Sequence, residues 1–439
     1  MPTPTLRVVA RWTALVLAAA AAYKLLAHRS DEPFILGYSL FYIVCLFSFA
    51  GALAFAVALF RRFGSSAWYA IAAIAILVST IAAAAEIIAQ LYAIRNPAYE
   101  VLYLQPDRVT GWKGVPNLRF TWAGPHWAAF EFSVPTILNS SGFHDLERTV
   151  EKPPHVARVA LLGDSFVEAL QVSFDKTAGQ LLERSLNSTA GAQSVQEPRY
   201  EVLNFGVSAY GLGQYLLAWE KYARSYKPDY VFAYVAKFHM ERTLSRGGME
   251  TQGSHDLWTR PTYTLRSNEL VLVPAGEYDK FVAAQERLIR DELGGTRILK
   301  RRGFLFLGIM LGDVNTSLTR VQRRFTGVGA VRDRSEEELA INLRILEELA
   351  ASVHRSGARL IIADSVRYHR GSQELSDTLK EFCARKDIGY VNVSDDLLKK
   401  EDAGISTKRA YDGHFNELGN QIFAAAMYRW MASSAAPPR

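Results

Sequence analysis

The sequence predicts an α/β protein in which a parallel sheet is covered by helices on both sides and is preceded by helices that cross a membrane. Three observations predict it. Charged residues are segregated along the chain, short apolar strand patterns alternate with amphipathic helical ones from residue 158 onward, and residues suited to nucleophilic chemistry stand where such strands end.

The chain has 439 residues, 49% of them hydrophobic and 21% charged, which supplies a sizeable core and excludes disorder of the whole chain. Residues 1–94 hold only nine charged side chains: Arg7, Arg11, Lys24, Arg29, Asp31, Glu32, Arg61, Arg62 and Glu86. Three apolar stretches explain this. Trp12–Ala27 is interrupted by Lys24, Phe34–Phe60 has no charge, and Trp68–Ile94 carries only Glu86. A hydrocarbon core about 30 Å thick needs about 20 helical residues, so the second and third stretches qualify as spans. The first reads either as a short span or as a signal peptide with Arg7 and Arg11 before its apolar region. The loop Arg61-Arg62-Phe63-Gly64 is positive, and positive short loops stay cytoplasmic. Everything after Ile94 is then expected outside the cytoplasm, on the periplasmic side of an inner membrane. Residues 1–94 form the membrane region in this reading, with the lipid bilayer as its partner.

The formal charge of +6 includes +3 from residues 1–94, leaving +3 (+6 less +3) on the polar remainder. No basic run with interleaved aromatics stands out there, so nucleic acid is not an expected partner. Two cysteines, Cys45 and Cys383, cannot build a disulfide framework or a zinc site and read as packed thiols.

Residues 95–150 are rich in Trp, Pro and Gly without a sustained period, and read as an extended strap or linker, or a small β element. The main domain is expected over 151–439. Its strand candidates are Arg158–Leu162, Tyr200–Phe205, Tyr230–Ala236, Arg359–Ala363 and Gly389–Val393, each short, β-branched or aromatic, and bounded by Gly, Asp or Pro. Helical patterns run through Lys176–Asn187, Gly213–Ser225, Glu374–Lys386 and Asn416–Met431. The clearest helix starts at Ser335 with Glu338 three residues on, a capping box, and Gly357 ends it. Residues 241–334 interrupt the alternation and read as a cap insertion. Within it, basic Arg297–Arg302 followed by apolar Gly303–Leu311 suits an interfacial segment resting on the bilayer.

In open α/β sheets, sites sit at the carboxyl ends of strands. The first strand of the domain ends Gly163-Asp164-Ser165, which exposes a serine hydroxyl beside a free backbone amide at a helix start. The second ends Asn204-Phe205-Gly206-Val207-Ser208, where Gly206 lets a backbone N–H come close to a ligand. Near the C-terminus stands Tyr411-Asp412-Gly413-His414-Phe415-Asn416. An Asp two residues before a His can hold one ring nitrogen and leave the other free to take a serine proton. Each pattern has a purely structural reading as well. Asp164-Ser165 could only cap a helix, as Ala363-Asp364-Ser365 after a later strand is expected to do, and His414 could be a satisfied loop histidine. His144-Asp145 reads as solvated surface.

Together these blocks resemble the SGNH/GDSL hydrolase superfamily, in a membrane-anchored bacterial branch. The likeness covers about residues 135–240 and 335–431. It rests on Asn139-Ser140-Ser141-Gly142-Phe143, Gly163-Asp164-Ser165, Asn204-Phe205-Gly206-Val207-Ser208-Ala209-Tyr210-Gly211 with Gln214, Lys227-Pro228-Asp229, and Asp412-Gly413-His414-Phe415-Asn416 with Gly419. The resemblance implies an SGNH (flavodoxin-like) three-layer domain with Ser165 as nucleophile, His414 as general base and Asp412 as its orienter. It further implies an oxyanion hole from the Ser165 and Gly206 amides, with neither metal nor organic cofactor. The third block departs from the pattern: where the superfamily carries an Asn whose side chain is a further oxyanion donor, this chain has Phe238-His239-Met240. His239 is the candidate to donate in its place, or else a packed third-strand residue.

The expected activity is ester hydrolysis or acyl/acetyl transfer through a Ser165 acyl-enzyme. Envelope polysaccharides or lipid esters are the expected substrates because a membrane tether restricts the domain to that surface. A transferase would draw its acyl group from a membrane protein partner. The competing reading is an SGNH-fold accessory subunit of a membrane complex with a weak or inactive site.

Overall fold

The computed structural model describes residues 103–123, 131–190, 199–244, 260–276, 278–280, 282–283, 335–410 and 412–433, with Val78 and Ile81 as isolated positions. The apolar stretches expected to span a membrane therefore lie outside the described residues, apart from those two positions, as does the segment 297–311. Among the described residues no helix is long and apolar enough to cross a membrane.

The strap comes first. Strands β1 (Leu104–Asp107) and β2 (Gly111–Gly114) pair antiparallel, and β3 (Arg119–Ala123) pairs antiparallel with β4 (Ser133–Ile137). Both are small antiparallel pairs, and the first reaches onto the loop after the second strand of the main sheet. Trp112 is fully buried, stands edge-on to Tyr210 at 5.9 Å and donates its indole N–H to Ser208 O at 2.9 Å.

The main sheet consists of β5 (Val156–Leu162), β6 (Arg199–Asn204), β7 (Tyr230–Val235), β10 (Arg359–Asp364) and β11 (Gly389–Asn392). All neighbours are parallel, in the order β6-β5-β7-β10-β11. The helices between them are α1 (Ser165–Glu168), α2 (Ala178–Ala190), α3 (Leu212–Lys221), α4 (Lys237–Leu244), α5 (Ser335–Arg355), α6 (Gln373–Arg385), α7 (Ser394–Asp402) and α8 (Glu417–Ser433). Inside the insertion, β8 (Thr262–Arg266) and β9 (Glu269–Val273) form a hairpin.

Period-2 alternation along each strand explains the layers, because successive side chains leave a strand on opposite faces. Ala160, Leu162, Val231, Ala233 and Ile362 pack with α3, α5, α6 and the strap. Val159, Leu161, Phe232, Tyr234 and Ile361 pack with α2, α7 and α8 on the other side. Strands wrapped on both faces are continuously apolar, and β7 is buried at every position. In chain order the sheet reads 2-1-3-4-5, so the topological switch lies between the carboxyl ends of β5 and β7, where such sheets open a crevice. All five strand candidates are strands, within two residues at each end. The sequence patterns missed α4 and α7, whose apolar faces are short.

Candidate active site

Ser165 sits in the first turn after β5, in the one-turn helix α1. The turn is tight because Gly163 lies under Val167, where an added Cβ would stand 2.1 Å from Val167 Cγ2. Asp164 Oδ1 accepts the Phe166 amide at 3.0 Å, and Ala169 ends the helix in a left-handed conformation. His414 arrives from the loop before α8, which turns through Gly413 at φ +82°, a conformation glycine adopts without strain. That loop is braced by Arg409 N–H to His414 O at 2.8 Å and by the Asp412 amide to Glu131 Oε2 at 3.0 Å.

The structure brings Ser165, His414 and Asp412 together from positions 249 residues apart in the chain. His414 Nε2 lies 2.7 Å from Ser165 Oγ, and His414 Nδ1 lies 2.6 Å from Asp412 Oδ1. A carboxylate only accepts, so Nδ1 carries the ring proton and Nε2 presents its lone pair to the serine O–H. Burial opposes the imidazolium, but the Asp412 charge and hydrogen bond outweigh it and raise His414 above its ordinary value. Asp364-Ser365 at the end of β10 shows what the same dipeptide does without such partners. Asp364 Oδ1 caps the Val366 amide at 2.7 Å, and Ser365, fully buried, receives the Tyr234 hydroxyl at 2.9 Å.

Two expected oxyanion donors are placed otherwise. The Gly206 amide donates to Asn204 Oδ1 at 2.9 Å. Its missing side chain serves packing, since a Cβ there would stand 2.6 Å from Glu168 N and 2.8 Å from Val167 Cβ. Among the described residues, the amides of Ser165 and Ala209 make no hydrogen bond. Ala209 holds φ +65°, an uncommon backbone state for a residue with a side chain and one found in functional loops. His239 sits in the first turn of α4, beyond β7, and is fully buried. Its Nδ1 accepts the Ala236 amide at 3.0 Å, so its proton is on Nε2, which lies 3.0 Å from Asp164 Oδ2. The ring is fully buried against Asp164, where Nε2 lies close to the carboxylate without completing a hydrogen bond. Burial keeps this imidazole below its ordinary value.

Sequence reasoning missed several residues here. His144 and Asp145 are buried: His144 Nδ1 lies 2.7 Å from Glu168 O, and Asp145 Oδ2 accepts the Asn204 amide at 3.1 Å. Glu168 Oε2 receives the Ser208 amide at 2.9 Å, the Ser208 hydroxyl at 2.6 Å and the Tyr103 hydroxyl at 3.2 Å, so the strap, α1 and the loop after β6 meet at one carboxyl. Arg242 on α4 donates from Nη1 to Asp164 Oδ2 at 2.8 Å and to Tyr210 O at 3.1 Å. Burial would raise the Asp164 carboxyl, but contacts with His239 and Arg242 hold it well below the carboxylate range. No short-range motif announces these partners. Among the described residues no group of three or more His, Cys, Asp or Glu is arranged to hold a metal ion.

No family model and no curated protein matches the chain. Solved structures similar to it include an acetyl xylan esterase, AlAXEase, at 11% identity, covering 64% of this chain and 100% of its own with a TM-score of 0.34. A lipolytic protein of the G-D-S-L family from Desulfitobacterium hafniense has 8% identity, covers 63% and 99%, and gives a TM-score of 0.33. The lipase/acylhydrolase from Enterococcus faecalis has 12% identity, covers 64% and 99%, and gives 0.33. Likeness at this level bears no weight on chemistry, which rests on the chain's own side chains.

Proposed function

We propose that the chain is a serine esterase or O-acyl transferase of the SGNH type. The observation that carries this reading is the hydrogen-bonded run from Asp412 through His414 to Ser165, at 2.6 and 2.7 Å. Ser165 Oγ attacks the ester carbonyl while its proton passes to His414 Nε2, and the carbonyl electron pair moves onto oxygen. We assign stabilisation of that oxyanion to the amides of Ser165 and Ala209, which make no hydrogen bond among the described residues. Collapse breaks the bond to the leaving alcohol, which takes the proton from His414. Water then releases the acyl group as acid, or an acceptor hydroxyl carries it away as a new ester.

The apolar stretches in residues 1–94 and the positive loop at Arg61-Arg62 support tethering to a membrane with the catalytic domain outside the cytoplasm. Such a tether favours acyl or acetyl esters of envelope glycans or lipids as substrates, and a membrane protein as acyl donor if the reaction is transfer. One observation favours a non-catalytic accessory role: the third-block position is held by His239, which is turned to Asp164. A fluorophosphonate probe separates the two. Covalent labelling of the folded chain that disappears in Ser165→Ala supports the enzyme, and a folded wild-type chain that never labels supports the accessory subunit.

A further inference from the structure

We propose that Arg242 is a catalytic residue that donates to the oxyanion, in the role left open by the absent asparagine and by His239, whose ring is fully buried against Asp164. The inference rests on the esterase reading above and adds one group to its machinery.

Arg242 stands one helical turn after His239 on α4, so both lie on the same side of the helix. His239 reaches under the nucleophile turn to Asp164, and Arg242 reaches the same carboxyl oxygen from the more open side, its side chain 29% exposed while that of Asp164 is fully buried. The two hydrogens of Nη1 serve two walls. One goes to Asp164, the neighbour of Ser165, and the other to the carbonyl of Tyr210, the neighbour of Ala209. The guanidinium therefore bridges the two loops whose amides are uncommitted. Its shaft is set by packing: Gly211 leaves room for it, since a Cβ there would stand 3.0 Å from Arg242 Cβ, and the guanidinium carbon lies 4.6 Å from the centre of the Phe238 ring. Phe238 in turn packs tilted against Phe166, with ring centres 6.0 Å apart, and the Phe166 ring lies 4.8 Å from that of His414.

Among the described residues the N–H groups on Nε and Nη2 have no hydrogen-bond partner. An arginine offers five donors in a planar fork, so anchoring Nη1 pre-orients the others without consuming them. Preorganised donors of this kind stabilise charge that develops only in the transition state. The Arg242 charge also works against protonation of His414, which places it within electrostatic reach of the base.

The test compares full-length wild type with Arg242→Ala and Arg242→Lys on p-nitrophenyl acetate, with circular dichroism to verify folding. Arg242→Ala is expected to lower kcat about 10²–10³-fold with KM unchanged, and added guanidinium chloride is expected to restore part of kcat. A residue that only neutralised Asp164 would show no gain beyond recovered folding. If Arg242→Ala does not fold, Arg242→Lys keeps a cation against Asp164 and is expected to lose kcat at constant KM. Folded variants that retain kcat within a few-fold, or lose activity through KM alone, overturn the assignment while leaving the Ser165 mechanism standing. Wild type that neither turns over the ester nor labels with fluorophosphonate overturns the esterase reading and this assignment together.

Discussion

Among the described residues, a proton leaving Ser165 has one acceptor within hydrogen-bond reach, His414 Nε2, and that nitrogen is a base only while the ring is neutral. Asp412 orients the ring and raises its pKa, so the two effects can be separated by substitution. In wild type the acidic limb of kcat/KM is expected above pH 6.5, with activity rising as His414 loses its proton. Asp412→Asn removes the charge that favours the imidazolium and the acceptor that selects the tautomer. It is expected to lower the rate by about 10⁴ and to move the acidic limb to lower pH, both read from a pH–rate profile. His239 and Arg242 show how little a residue's type decides at this scale. Each could donate to an oxyanion, but the His239 ring is fully buried against Asp164 while the Arg242 side chain is partly exposed.

At the scale of elements, the site is a meeting of loops, and Glu168 joins three of them. Its carboxyl is fully buried and pushed up to about 7, chiefly by desolvation, against the pull of the Ser208 and Tyr103 hydrogen bonds. An acid whose folded pKa exceeds its unfolded value binds more protons in the folded state across the interval, so its contribution to stability falls as pH rises. Between about pH 4.5 and 7, wild type is therefore expected to lose stability relative to Glu168→Gln, which cannot ionise. Thermal midpoints of both proteins across that range measure it, and a difference independent of pH would show that Glu168 is ionised throughout. The strap belongs to the same junction. Trp112 and Tyr103 reach from it to Ser208 and Glu168, so the loop carrying Ala209 rests on residues some hundred positions earlier.

For the molecule as a whole, the 2-1-3-4-5 strand order puts the ends of β5 and β7 at one crevice, and α8 delivers its preceding loop there from the far end of the chain. The proposed membrane tether rests on the apolar stretches of residues 1–94, and it carries its own predictions. The full chain is expected to sediment with membranes and to be extracted by detergent but not by salt or alkaline carbonate. A protease added to the outer side is expected to remove the C-terminal domain intact. Extraction by carbonate alone, or protection of that domain in right-side-out vesicles, would overturn the tethered arrangement.

Read alone, the amino-acid order contained the layers and most of the triad's address. Strands buried on both faces must be continuously apolar, which made β7 and β10 visible, and amphipathic α5 advertised itself through its 3.6-residue period and a glycine stop. Ser165, Asp412 and His414 were legible because strand-end turns and an Asp-x-His spacing are local patterns. Only the folded chain decided which neighbours engage each polar group. Gly206 looked like a donor but spends its amide on Asn204, His239 looked like a substitute asparagine but points at Asp164, and His144-Asp145 looked solvated but is buried. Arg242 had no signature at all, because its role depends on two acceptors far from it in sequence. Periodicity is a short-range property, carried by the chain as it is written. The satisfaction of buried donors and acceptors is set by contacts across tens to hundreds of residues, which exist only once the sheet has assembled.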